Sequence, residues 1–375
     1  MVREVRAFRL RAPLTEPYGW ARGRVAVREA LLVCVIADDG TEGWGECAGP
    51  PAVLAPAVTE FFGPLLRGQD PLATDPLWDR LWQAALPFGR RGVLIGALSG
   101  IDMALWDLKG KLLGQSVSAL LGGRTRERIP CYATGLYFRE GPESERIPRM
   151  LAEAHRAVES GARALLVQVG RSLAADAALA RALRKELPDI PFAAEAHGSY
   201  DVPEAAIICR ALAEQGFTAL ADPLAAEPVT AWARLAAQTT LPLSAGRYEQ
   251  TRWAFEALLA TQAIGTFQVN PAWCGGLSEA QKIRTVASAH GVNVVPRSLG
   301  TPLNLAASLH FLASDIRHPG RVELRPPLLE TDTLEDPFHA VFSQGIELED
   351  GMATVPTAPG LGVTVDLLQL GQFTL

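Results

Sequence analysis

Cysteine is scarce and unpatterned in this 375-residue chain. The five cysteines, Cys34, Cys47, Cys131, Cys209 and Cys274, are odd in number and form no CxxC pair. Such usage argues against a zinc site and a disulfide framework, and suits reduced thiols in a cytoplasmic setting. No apolar run reaches the roughly 18 residues that a membrane span requires. The opening MVREVRAFRLRAPL carries alternating charge where a signal peptide would have an apolar core. A basic stripe is missing too. With a net charge of only −6, spread along the chain, a nucleic-acid partner is not expected. What remains is a chain with 48% apolar residues, enough to bury two cores, and low complexity limited to an alanine bias.

The first third reads as α+β. Val2–Leu10 and Ala30–Ala37 are strand-like, and Asp38–Gly40 turns the chain into Gly43–Cys47. Helical patterns follow at Val58–Leu66, Pro76–Leu86 and Gly92–Leu113. From Ile129 the register changes to alternating strands and helices, the signature of parallel βαβ units. Strands are predicted at Ile129–Ala133, Ala164–Val169, Pro191–Glu195, Phe217–Ala221, Pro242–Gly246, Thr266–Val269 and Val292–Pro296, with a last one near Val322. Eight strands with seven intervening helices favour a closed barrel over an open sheet. The expected organisation is an α+β capping domain over 1–125, a barrel over 126–324, and a segment over 325–375 that folds back onto the cap.

Six positions fall just past apolar strand-like runs: Gln168, Glu195, Ala221, Arg247, Asn270 and Arg297. They recur every 23 to 27 residues, about one strand-plus-helix unit, so their side chains should converge on one barrel mouth. The set holds a single carboxylate and no lysine. Metal-assisted chemistry at such a mouth would need several carboxylates and a titratable base.

Four stretches carry a resemblance across the whole chain: GWGECAGP (Gly43–Pro50), the run from Ser99 to Gly123, WCGGLSEAQKI (Trp273–Ile283) and VPTAPGLGVTVD (Val355–Asp366). In these the chain is similar to the mandelate racemase / muconate lactonizing group of the enolase superfamily. The resemblance implies a (β/α)7β barrel capped by an α+β domain that the C-terminal segment completes, and a homo-oligomer. It also implies chemistry in which a base removes the proton next to a carboxylate while magnesium steadies the enolate.

Against that pattern this chain departs at most positions. Leu166-Val167-Gln168 stand where the family has Lys-x-Lys, and Glu195, Ala221 and Arg247 where it has three magnesium carboxylates. Asn270 and Arg297 replace the Asp-and-His pair, whereas Glu323 matches the acidic residue expected after the last strand. Three carboxylates and a divalent ion sum to −1, while Glu195, Ala221 and Arg247 sum to zero with no ion. Magnesium beside Arg247 would meet a repulsion on the order of several kcal/mol. The expectation is therefore no magnesium and no other cofactor, with Arg247 in the ion's place and paired with Glu195. Asp222, one residue after Ala221, should point to the opposite face of its strand.

The leading expectation is a lyase or isomerase of racemase or dehydratase type, acting on a small carboxylate. Arg247 and Arg297 would clamp the acid, with Gln168, Asn270, Tyr18 and Trp20 completing the substrate contacts. Glu195, His197 or Glu323 would move the proton. The surplus of two arginines over one certain carboxylate favours a clamp over internal ion pairs. Tyr18 and Trp20 belong to PYGWARGR (Pro17–Arg24), where the resemblance places a loop over the barrel; Arg22 or Arg24 could meet an anion there. Two alternatives stand: an inactive homologue that binds a carboxylate ligand or a partner, and a magnesium enzyme with ligands rearranged onto Glu195, Asp222 and Glu249.

Overall fold

The computed structural model describes residues 1–227, 229–315, 328–334 and 336–375. Three strands, β1 (Val2–Trp20), β2 (Gly23–Ala37) and β3 (Glu42–Cys47), form an antiparallel meander. The first two are longer than their apolar runs predict. PYGWARGR is the tip of the β1–β2 hairpin and not a free loop, since Tyr18 pairs with Val25 and Trp20 with Gly23. The β2–β3 turn is closed by Asp39, whose carboxylate accepts from the Thr41 amide at 2.9 Å.

Behind this sheet lies the long helix Val93–Leu113. It sits close to β3 because Gly43 and Gly45 have no side chains. A Cβ on Gly45 would come within 2.2 Å of the Gly100 carbonyl. Apolar residues from both elements, with the helix Thr74–Ala85, form a separate cap core around Val33, Val35, Leu98, Ile101 and Trp78.

The barrel follows as expected: β4 (Arg128–Gly135), β5 (Leu165–Gln168), β6 (Phe192–Glu195), β7 (Leu220–Ala221), β8 (Leu243–Ala245), β9 (Thr266–Val269) and β10 (Asn293–Pro296), all parallel in chain order. The strand predicted near Val322 lies outside the described residues. Closure comes from β11 (Leu329–Asp332), which pairs in parallel with β4 and lies beyond the position 324 at which the barrel was expected to end. Ser298, just past β10, completes the ring. Its hydroxyl donates to the Glu330 carbonyl at 2.6 Å.

In the described residues seven helices alternate with the strands, among them Leu173–Glu186, Val202–Glu214 and Gly276–Ala289. Side-chain caps from Ser172, Asp201 and Thr301 start three of them. Asp201 and Glu204 form a reciprocal capping box with Pro203 in the first turn, where a missing N–H costs nothing.

Cap and barrel are joined by buried polar contacts that only tertiary packing could supply. Asp102 on the long cap helix accepts from the Ser278 amide at 2.9 Å and from its hydroxyl at 2.6 Å. The tail returns to the cap, with Leu361 N donating to Asp107 at 2.7 Å and Leu375 N to the Arg9 carbonyl at 2.9 Å. All five cysteines are free and buried. No described helix is long and apolar enough to cross a membrane.

Candidate functional site

Parallel strands of a closed barrel all present their C-terminal ends at one rim. Gln168 and Glu195 are the last residues of β5 and β6, while Arg247 and Arg297 lie one or two residues past β8 and β10. The four line one cavity of about 430 Å3, roofed by Tyr18 and Trp20 of the cap hairpin. Seven of the nine sequence-predicted residues therefore share a wall, His197 included. His197 lies stacked under the Trp20 ring at 5.5 Å between centroids.

Glu195, fully buried, is the centre. Its Oε1 accepts from Arg247 at 2.8 Å and its Oε2 from Arg297 at 3.2 Å. Burial opposes its ionisation, but the two guanidinium groups outweigh that and hold the carboxyl well below the usual range. Arg297 also lies 3.0 Å from Glu330 of β11, which is itself fixed by Thr134 Oγ1 at 2.6 Å and Ser298 N at 3.0 Å.

Glu330 corrects the expected surplus of positive charge. Two guanidiniums face two buried carboxylates, so the network is balanced. Glu323 lies outside the described residues, and Glu330 is the closing-strand carboxylate that pairs with Arg297.

His197 is neutral near pH 7, because burial pushes it down to about 3 with only partial opposition from Glu195. Its Nε2 faces the amide oxygen of Gln168 at 2.6 Å, and a carbonyl oxygen only accepts, so Nε2 carries the proton. Nδ1 then accepts from the Tyr248 hydroxyl at 3.2 Å. Glu195 locked as an anion and His197 held neutral are both weak bases in this arrangement.

Two buried donors are left over. Gln168 Nε2 and Arg297 Nη1 have no hydrogen-bond partner among the described residues, although Nη1 does keep its ion pair with Glu330. Other expected contacts fall elsewhere. Asn270 is not among the residues lining the cavity; its amide oxygen closes the local turn by accepting from Ala272 N at 2.9 Å, and Asn304 reaches it at 3.2 Å. At the rim, Arg24 pairs with Glu140 at 2.7 Å. Cys274 is buried with its Sγ on the Gly276 carbonyl.

Asp222 departs from simple strand alternation. It adopts a positive φ of 42°, and its buried Oδ2 lacks a hydrogen-bond partner. Burial raises it to about 7. Glu249 faces Arg91 at 3.5 Å.

Magnesium demands near-octahedral oxygen coordination. Here both oxygens of Glu195 face guanidiniums, and Ala221 offers no side-chain donor. Among the described residues no three His, Cys, Asp or Glu side chains group closely enough to hold an ion. The residues present do not fit the ion that the family resemblance implies.

Sequence reasoning missed four charged residues of the cavity wall: Arg28 and Glu29 of β2, Glu46 of β3 and Asp332 at the end of β11. Glu46 is buried, with Thr301 N and Oγ1 on its Oε2 at 2.8 and 2.7 Å, and burial raises it to about 7. The available signal was a charge set inside an otherwise apolar strand pattern, as in GWGEC.

Over 373 residues the chain is 36% identical to a D-galactarolactone cycloisomerase from Agrobacterium fabrum, covering 99% of this chain and 98% of that protein. It is 28% identical to an arabinonate dehydratase from Saccharolobus solfataricus, covering 97% of each. The crystal structure of the 3,6-anhydro-D-galactonate cycloisomerase from Zobellia galactanivorans superposes with a TM-score of 0.89 at 31% identity, over 100% of this chain and 99% of that one. Residues 2–122 match the mandelate racemase / muconate lactonizing enzyme N-terminal domain and residues 149–369 the enolase C-terminal domain-like family. With both halves matched in order, the chain belongs to the mandelate racemase / muconate lactonizing enzyme group of the enolase superfamily.

Proposed function

We propose that this protein is a lyase or isomerase acting on a small polyhydroxy acid or its lactone, with Arg247 and Arg297 engaging the carboxylate and no magnesium required. The observation that carries the reading is the cavity wall itself. Two guanidiniums lie beside the buried Gln168 Nε2, which has no hydrogen-bond partner among the described residues, under an aromatic roof. A ligand carboxylate supplies the acceptor that Gln168 Nε2 lacks and a counter-charge for the part-exposed Arg247. Arg247 is the movable member, its side chain about a quarter exposed while that of Arg297 is 3% exposed. The named sugar-acid cycloisomerase and dehydratase relatives support the substrate class.

A buried guanidinium such as that of Arg297 stabilises developing negative charge with little reorganisation. One arginine offers less charge than a divalent ion, so a lactone is the better-matched substrate. Its α-proton sits beside a neutral carbonyl, and its enolate carries one negative charge less than that of a carboxylate. Glu46 is the wall carboxyl best tuned to carry the proton, since its value near 7 matches an operating pH near neutrality.

The test is turnover of sugar acids and lactones in D2O, with and without EDTA. Deuterium at the α carbon, unaffected by chelation, is the expected result. Loss on chelation with rescue by magnesium would overturn the metal-free mechanism and favour ligands rearranged onto Glu195, Asp222 and Glu249.

A second reading has its own observation. The Glu195–Arg247–Arg297–Glu330 network balances without any ligand, as it would in an inactive homologue that only binds a carboxylate or a partner. Thermal stabilisation by the same acids without deuterium uptake would favour it.

A further inference from the structure

The cavity has a second charged pair beside the Glu195–Arg247–Arg297–Glu330 network. Arg28 comes from the cap strand β2 and Asp332 from the end of β11, three strands around the ring from β8, which carries Arg247. Their side chains are each 16% exposed, open enough to touch a ligand and buried enough to be shielded from bulk water. The pair is loose. Arg28 Nη1 lies 3.7 Å from Asp332 Oδ2, beyond hydrogen-bond reach.

Each partner is nevertheless held in place by something else. Arg28 donates to the Tyr18 hydroxyl at 3.1 Å and to the Gly300 carbonyl at 3.3 Å. Asp332 Oδ1 accepts from Leu334 N at 3.1 Å. The pair is therefore a preset donor beside a preset acceptor, and both residues line the cavity.

A hydroxyl group is the chemistry that matches such a gap. It donates to a carboxylate and accepts from a guanidinium at once, whereas a second carboxylate would meet Asp332 with like charge and an alkyl tail would offer neither group a partner. Shielding matters as well, because charge-assisted hydrogen bonds keep their strength only where water is limited. A cavity of about 430 Å3 sits at the small end of ligand pockets, which suits one acid of sugar size.

We propose that Arg28 and Asp332 form a hydroxyl-reading subsite that selects polyhydroxy acids, holding the distal hydroxyls of a ligand whose carboxylate lies at Arg247. The inference rests on the carboxylate-binding reading above and adds how the far end of the ligand is recognised. Burial holds Asp332 up at about 6, so the subsite reads hydroxyls best above that pH, where the carboxylate is ionised.

The test compares two six-carbon α-hydroxy acids, D-galactonate and 2-hydroxyhexanoate, by titration calorimetry at pH 8. They share the carboxylate end and differ in the distal hydroxyls. The wild-type protein is expected to favour D-galactonate by about ten-fold or more, as lost hydrogen bonds to charged groups dictate. In Asp332→Asn and in Arg28→Met that preference should fall toward unity. Melting curves check that each variant is folded, and either folded variant suffices for the comparison.

An unchanged preference in a folded variant, or no preference in the wild type, would overturn the subsite while leaving carboxylate binding at Arg247 intact. Binding of neither acid would overturn both readings. An Arg247→Met protein separates the two ideas further, since it should lose affinity for both acids and keep their ratio.

Discussion

Replacing Glu195 by Gln probes the charge arrangement most directly. The side chain keeps its shape and loses its charge, which leaves the guanidiniums of Arg247 and Arg297 facing a neutral amide in a buried setting. Removing one partner of a buried ion pair costs about 3–5 kcal/mol. Two features place this case near the lower end. Arg247 can turn toward water, and Arg297 retains Glu330 at 3.0 Å. At roughly 2–4 °C per kcal/mol for a domain of barrel size, a loss of about 3 kcal/mol lowers the melting temperature by about 6–12 °C.

The sign of the pH dependence follows from linkage. The folded-state pKa of Glu195 is depressed below its ordinary 4.5, so its stabilisation is present above that value and fades as the pH falls toward the depressed one. The gap between wild type and Glu195→Gln should therefore be widest near pH 7 and narrow toward pH 3. The double variant Glu195→Gln/Arg247→Met should recover part of the loss, because it removes the unmatched cation. Differential scanning calorimetry across this range is the assay. A variant that melts with wild type at pH 7, or a gap that persists unchanged in acid, would refute the buried ion-pair account.

Three further outcomes are expected. Gly45→Ala should destabilise the cap by well over 1 kcal/mol, since its Cβ would meet the Gly100 carbonyl at 2.2 Å and the long helix must shift; a wild-type melting curve would contradict that packing. Trp20→Ala removes the ring stacked on His197 and should raise KM for sugar acids at least several-fold while lowering the melting temperature little, which steady-state kinetics can check. Glu46→Gln should erase a limb near pH 7 from the pH–rate profile; persistence of that limb would assign the proton to another group.

Much of the architecture was legible without coordinates. The alternation of apolar strand runs with alanine-rich helical periods located β4 through β10 to within a few residues, because each period depends only on local geometry. The cap strands were underestimated. β1 extends to Trp20 through a segment rich in charge and proline, held by pairing with β2 and not by its own pattern. The same holds for β11, whose LETD carries little strand signal and owes its place to β4.

For the candidate site, the steps between strand ends brought Gln168, Glu195, Arg247 and Arg297 to one rim, and the sequence sufficed for that. It did not suffice for Asn270, whose amide oxygen closes a local turn, or for the balance of charge, which depends on Glu330. Arg28, Glu46 and Asp332 come from two cap strands and the closing strand, and enter the cavity only once the cap is seated on the barrel. Sequence alone determined which side chains alternate along one chain segment and hence the barrel and its rim. Which distant charges meet, how deeply each is shielded and which donors stay unpaired were decided by tertiary packing, because electrostatic and hydrogen-bond energies depend on distances through space that chain order does not encode.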